Sequence, residues 1–300
     1  MDKRGQGDDY FMKIASIFRP DKTVFSLEVF PPKKTSSIDT IYETLEELKD
    51  LTPDFISVTY GAGGNLADST TCDIASIIKN RYNIEAVAHL TCVNSTRDQV
   101  KSVLEKLRAN NIENILALRG DFSDDYPRQN DFAYAKDLID FLRSEDPERA
   151  MGISGACYPE GHPEADTEDL DLMHLKEKVD AGAEHLVTQL FFDNNLYYDF
   201  VKKARAIGIK VPIEAGIMPV VNKNQIQRMV SLCGASLPSK FTKMMNRYEN
   251  NPLAMRDAGI AYAVDQIVDL ISNGAEGIHL YTMNNPYIAR KITESIKSLF

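Results

Sequence analysis

Apolar and polar positions alternate along the chain in two distinct periods. Short runs rich in β-formers occur near Val24 to Phe30, Phe55 to Thr59, Glu85 to Leu90, Asn114 to Leu118, Met151 to Ala156, His185 to Leu190, Val211 to Gly216 and Gly277 to Tyr281. Between them apolar residues recur every three or four positions. Ile38, Ile41, Leu45 and Leu48 form one stripe, Val100, Val103, Leu104 and Leu107 another, Ala135, Leu138, Ile139 and Leu142 a third, and Ile288, Ile292, Ile296 and Leu299 the last. The short runs predict eight strands, and the stripes predict helices that each lay one face on a sheet. A short amphipathic helix is expected ahead of the first strand, about Tyr10 to Phe18. Candidate helices near Lys223 to Cys233, Ser239 to Asn250 and Leu253 to Ser272 enlarge the connection between the seventh and eighth strands.

Eight β/α units in 300 residues predict an α/β fold of the (β/α)8 TIM-barrel type. A doubly wound open sheet is the structural alternative. It lacks its usual phosphate fingerprint here, because the nearest candidate, Gly61-Ala62-Gly63-Gly64, has no third glycine at the required spacing. No Pro/Gly/Ser-rich spacer, low-complexity tract or long-period repeat divides the chain, so one domain over residues 1–300 is expected.

Composition narrows the partners. A net charge of −10 opposes binding to nucleic acid or to an anionic membrane, both of which demand a basic surface. The start of the chain, MDKRGQGDDY, lacks the apolar core of a signal peptide, and no apolar run approaches membrane-spanning length, so a cytoplasmic location is expected. Cys72, Cys92, Cys157 and Cys233 are scattered without CxxC spacing and read as reduced thiols. The histidines His89, His162, His174, His185 and His279 form no HExxH pattern, which disfavours zinc. No GxSxG elbow and no phosphate-binding P-loop occurs. Hydride or proton chemistry with an organic cofactor remains.

The stretch FSLEVFPP places one carboxylate, Glu28, in an otherwise apolar strand that Pro31-Pro32 must end. In a parallel barrel that end faces the ligand mouth, and burial there favours a general acid. The competing reading is a structural ion pair. Other polar residues fall at the same ends: Thr59-Tyr60 after strand two, His89 in strand three, Arg119-Gly120-Asp121 after strand four, Tyr158 to His162 after strand five, Gln189 after strand six and Tyr281-Thr282 in strand eight. Singly each has a bland reading, His89 as a core histidine and Arg119 with Asp121 as an ion pair. Together, an acid, amides, glycine backbone and aromatics suit a planar heterocyclic cofactor.

The segments FSLEVFPPK, DFISVTYGAGG, AHLTCVNST, NILALRGD, YPEGHPEA, LVTQLFFD, AGIMPV and HLYTMN, in this order, resemble the methylenetetrahydrofolate reductase family from about Phe25 to Tyr287. The resemblance implies a flavin-binding TIM barrel of the bacterial single-domain type, without the regulatory C-terminal domain of eukaryotic members. It implies that NADH or NADPH reduces the flavin, which then reduces 5,10-methylenetetrahydrofolate to 5-methyltetrahydrofolate in ping-pong fashion, within one-carbon metabolism and methionine synthesis. Homo-oligomers are common in the family. Carried over residue by residue, Glu28 corresponds to the acid that protonates the bridging folate nitrogen, and Asp121 to the carboxylate near pterin and flavin. Gln189, Gln225, Met229 and Tyr281 fall in the folate region. Thr59 matches a nicotinamide contact. Tyr60, Ala62, His89, Arg119, Gly120, Ala133, Tyr158, His162, Ala165, Asp171 and Lys178 match flavin contacts.

Four positions depart from the family pattern, one of them Met229, which stands where a Phe is expected to cover the folate and can still pack against a ring. His174 and Glu177 stand where an Asn and an Arg are expected near the cofactor's diphosphate end, which keeps FMN open beside FAD. Asn285 stands where an Arg is expected to meet the folate tail, with Lys223 or Lys33 as substitutes. These departures leave two other readings. One is a flavin-binding electron-transfer subunit fed by a protein partner, and the other a flavin barrel dehydrogenase acting on a different amine.

Overall fold

The computed structural model describes residues 12–32, 37–60, 70–121, 129–222, 226, 229–231 and 233–300. Eight strands run in sequence order: β1 (Val24–Val29), β2 (Phe55–Val58), β3 (Glu85–Thr91), β4 (Asn114–Leu118), β5 (Gly152–Cys157), β6 (His185–Thr188), β7 (Ile213–Ile217) and β8 (Gly277–Tyr281). Each pairs in parallel with the next, and β8 returns to β1 to close the barrel. The periodicity thus predicts strand number and order correctly, with boundaries displaced by at most two residues.

Period-2 alternation explains which side chains enter the barrel. In β1, Phe25, Leu27 and Val29 belong to the outer apolar layer, together with Ile41, Leu45 and Leu48 of α1 (Asp39–Leu48) and Ile288 and Ile292 of the last helix (Pro286–Ile296). Val24 belongs instead to a separate inner cluster with Phe55, Val87, Leu116 and Val187. Ser26 and Glu28 share Val24's parity and point to the axis. The outer layer also takes Ile74 and Ala75 of α2 (Thr70–Ser76), Val100, Leu104 and Leu107 of α3 (Arg97–Ala109) and Leu138, Ile139 and Leu142 of α4 (Ala135–Ser144). Leu299 departs from its expected stripe. It lies in a final 3-10 turn beyond the last helix and is 40% exposed.

The helix expected over Tyr10 to Phe18 is, within the described residues, one 3-10 turn, Ile14–Ser16. Tertiary contacts use this segment as the barrel floor. Ile14, Ile17 and Phe18 pack on the inner cluster. Asn114 at the start of β4 accepts from the Ile14 N–H at 2.9 Å and donates to the Met12 carbonyl at 2.9 Å. These backbone groups therefore bond to a side chain rather than extend a helix.

After β7, helices Ser239–Tyr248 and Pro252–Ser272 build a second apolar cluster containing Phe192, Met218, Val220, Phe241, Met245 and Met255. Met229 and Tyr281 pack against it, so this enlarged connection forms one wall beside the mouth. No described helix is long and apolar enough to cross a membrane.

Candidate active site

Glu28 is the last inward residue of β1, and its side chain keeps 17% exposure at the C-terminal mouth. The strands that approach it supply two imidazoles. Its Oε2 lies 3.4 Å from Nε2 of His279, on β8, and 3.5 Å from Nε2 of His89, on β3. Among the described residues no lysine or arginine pairs with Glu28; the structural ion pair with a cationic chain is replaced by a carboxylate set between two buried histidines. Ser57 on β2 brings its hydroxyl to 3.4 Å from the same His279 nitrogen.

The two imidazoles behave differently. Burial drives the pKa of His89 down to about 4, against the opposing attraction of Glu28, so this ring is neutral at physiological pH. For His279 burial also acts downward, but its hydrogen bond to Glu28 and the charges of Glu214 and Glu28 outweigh it and raise the pKa. Tyr281 meets His279 edge-on at 5.3 Å and donates to the Thr188 carbonyl at 2.7 Å. Its phenol, pushed far up by burial, stays protonated.

Beside the mouth, the ends of β4 and β5 and the helices α4 and α5 (Glu168–Ala181) enclose a cavity of about 420 Å³. It is lined by the predicted residues Arg119, Tyr158, His162, Ala165, Asp171 and Lys178, and by the two departures His174 and Glu177. Tyr158 and His162 stack edge to face at 4.7 Å. The His162 N–H donates to Asp171 at 3.2 Å, which fixes the loop onto α5. Lys178 is buried, which lowers its pKa, and donates to the Ala156 carbonyl at 2.6 Å. The Arg119 fork meets both oxygens of Glu164 at 2.5 and 2.9 Å, and the charge of Asp121 adds a smaller attraction than that of Glu164. Gly120 turns the chain with φ 85°, where a Cβ would meet Thr91 Cβ at 3.0 Å. Only glycine fits that turn without strain.

The remaining predicted residues divide. Thr59 follows β2, its N–H bonded to the Val29 carbonyl at 2.9 Å, and Tyr60 packs against the outer core. Asp121 is exposed at the end of the described β4 segment. Gln189 follows β6, and its side-chain oxygen folds back to accept from the Leu190 N–H at 2.9 Å. Ala133, like Tyr60, His89 and Gly120, lies outside the cavity lining; its N–H caps α4 through Asp137 at 2.9 Å. Asn285 is the N-cap of the last helix, accepting from the Ile288 N–H at 3.2 Å. Ala62, Gln225, Lys33 and Lys223 lie outside the described residues. His279, on the acid, Ser57, on His279, and Glu164, on Arg119, are site residues that sequence reasoning did not single out. A signal for His279 existed, because the alternation of GIHLY puts it on the same face as Tyr281.

A closed parallel barrel, with an acid–histidine cluster at its C-terminal mouth and a polar cleft alongside, defines a β/α-barrel of the enzyme type. The methylenetetrahydrofolate reductase family model matches residues 13–297. The 5,10-methylenetetrahydrofolate reductase of Pectobacterium carotovorum is 35% identical over 271 residues, covering 90% of this chain and 89% of that one. The methylenetetrahydrofolate reductase (NADH) 1 of Arabidopsis thaliana is 38% identical over 285 residues. That match covers 91% of this chain but 48% of the plant protein, so the chain spans about half the length of such relatives. Among solved structures, a Clostridium thermocellum protein described as binding two copies of 5-methyl-5,6,7,8-tetrahydrofolic acid superposes with a TM-score of 0.59. It covers 93% of this chain and 96% of its own at 13% identity, a likeness of fold. The chain belongs to the methylenetetrahydrofolate reductase family.

Proposed function

We propose that this protein reduces 5,10-methylenetetrahydrofolate to 5-methyltetrahydrofolate, with FAD as its flavin and NADH or NADPH as donor. The observation that carries the reading is Glu28, a carboxyl held at the mouth between two histidines. Flavin fits the cleft beside the mouth on two counts: the edge-to-face Tyr158–His162 pair and the lining cations Arg119, Lys136 and Lys178. When bound, the flavin supplies hydride transfer from the nicotinamide to the folate carbon.

The chain's own groups supply the rest. Glu28 delivers a proton to the bridging folate nitrogen, which opens the five-membered ring and makes the one-carbon unit electrophilic. Neutral His89, beside Glu28, leaves that proton in place. The wall carrying Met229 and Tyr281 screens the site from water, and Asp121 offers a hydrogen-bond acceptor to the pterin edge. Glu164 and Glu177 oppose the cations at the cleft, so phosphate binding there requires Arg119 to exchange its carboxylate partner.

An anaerobic visible spectrum tests this directly. Bleaching by NADH or NADPH and reoxidation by methylenetetrahydrofolate are expected, with chromatography of the released flavin separating FAD from FMN. A flavin that nicotinamides leave oxidised, yet that folate reoxidises after chemical reduction, would instead indicate a protein donor. In Glu28→Gln, nicotinamide-driven reduction is expected to persist while folate-driven reoxidation falls about 10²- to 10⁴-fold, the usual worth of a general acid. Equal loss of both half-reactions would remove Glu28 from the role.

A further inference from the structure

A second carboxylate lies below Glu28 on the barrel axis and has no part in the reading above. Glu214, the second residue of β7, has no exposed surface. Its Oε1 accepts from the Ser26 hydroxyl at 2.7 Å, and Ser26 in turn lies 2.5 Å from Nδ1 of His279. Its Oε2 lies 3.8 Å from that same Nδ1 and 3.3 Å from Nε2 of His185, whose own Nδ1 faces the Ser154 hydroxyl at 2.9 Å. No lysine or arginine reaches Glu214 among the described residues. Gly277, opposite Glu214 in the β7–β8 register, makes the room: a Cβ there would meet Glu214 Cγ at 3.0 Å and Phe18 at 2.9 Å. The floor residues Phe18 and Phe55 seal the cluster from below, against His185 and His279 respectively.

Proton counting sets the direction of each bond. An ionised carboxylate only accepts, so Ser26 gives its single hydroxyl proton to Glu214 and must accept from His279 Nδ1–H. That leaves Nε2 of His279, facing Glu28, as the nitrogen that gains or gives a proton. The titratable groups turned toward this pair are Glu28 from β1, His89 from β3, His185 from β6, Glu214 from β7 and Tyr281 from β8. Ser57, Leu116 and Ser154 face the axis from β2, β4 and β5 without charge.

We propose that Glu214 is a positioning residue whose buried charge, relayed through Ser26, keeps one proton on the Glu28–His279 pair at neutral pH, the store from which Glu28 protonates its substrate. This rests on the reductase reading. Delivery of the proton leaves Glu28 and Glu214 both ionised on either side of a neutral imidazole. Repulsion between the two carboxylates then draws one proton from water at the mouth back onto the pair.

The test is carbon-13 NMR of histidine-labelled protein, wild type against Glu214→Gln, with the His279 signal assigned by its loss in His279→Asn. The pH midpoint of His279 is expected to fall by about 1 to 3 units in Glu214→Gln. Ser26→Ala keeps both charges and breaks the hydroxyl bridge; a smaller fall is expected there, and it serves as the test if Glu214→Gln fails to fold. In the folate half-reaction, the alkaline limb of the Glu214→Gln rate profile should move down by the same amount, with the rate at acid pH retained. An unmoved His279 midpoint, a shift confined to His185, or equal loss of rate at every pH would overturn the proposal. Absence of folate turnover in the wild type would instead overturn the reductase reading and leave the NMR result standing.

Discussion

The neutral burial of His89 sets a specific pH dependence of stability. Its folded pKa of about 4 lies below the ordinary 6.5, so between these values the unfolded chain binds a proton that the folded chain refuses. Stability from this group is complete above pH 6.5 and is lost as the pH falls toward 4. The loss from this one residue amounts to about 2 kcal/mol at pH 5 and about 3 kcal/mol at pH 4. His89→Gln keeps a polar group toward Glu28 and takes up no proton. Urea unfolding followed by circular dichroism, since the chain has no tryptophan, should show the two stability curves converging as the pH drops from 7.5 to 5. The difference between them should change by about 2 kcal/mol in favour of the variant. The titration of His279 has the opposite sign: its stabilisation is present at low pH and lost as the pH rises through its raised pKa. It is common to both proteins and cancels in the comparison. Parallel curves would refute the assignment of His89 as a histidine held neutral by burial.

Three further outcomes are expected. Gly216→Ala places a Cβ 2.5 Å from the Thr188 carbonyl and 2.6 Å from the Tyr281 hydroxyl, so it should cost about 1 to 3 kcal/mol through overpacking; an unchanged Tm would contradict the close approach. Glu164→Gln removes an exposed partner of Arg119, so stability should stay within about 1 kcal/mol while flavin affinity, measured by fluorescence quenching, increases; weaker binding would show that Glu164 helps form the site. Burial pushes the thiols of Cys92 and Cys157 up to about 12 and those of Cys72 and Cys233 upward, but of the four only Cys233 is partly exposed. A thiol reagent should therefore modify Cys233 first in the native protein and the other three only on unfolding, as peptide mapping would reveal.

Local pattern made the barrel readable. Alternation in FSLEVF separates Phe25, Leu27 and Val29 from Ser26 and Glu28 without reference to any other strand, and helical stripes such as Val100, Leu104 and Leu107 mark their own buried faces. The N-terminal segment was less readable, because Ile14, Ile17 and Phe18 have helical spacing yet serve as a floor, a choice made by Asn114 a hundred residues away. The candidate site was readable in part. The acid, the mouth residues and part of the lining of the cleft follow from strand ends and from family motifs, while Tyr60, His89, Gly120 and Ala133 lie beyond the cleft lining and Arg119 bonds to Glu164.

The sequence by itself determined the eight strands, their order, and the inward direction of Glu28, because side-chain parity along a strand is a property of a few consecutive residues. Tertiary structure alone decided what Glu28 meets. Barrel closure sets β8 beside β1, bringing His279 to a carboxylate 251 positions away. The same closure places Glu214 beneath them, because the neighbours of an inward side chain are fixed by the register and stagger of all eight strands together.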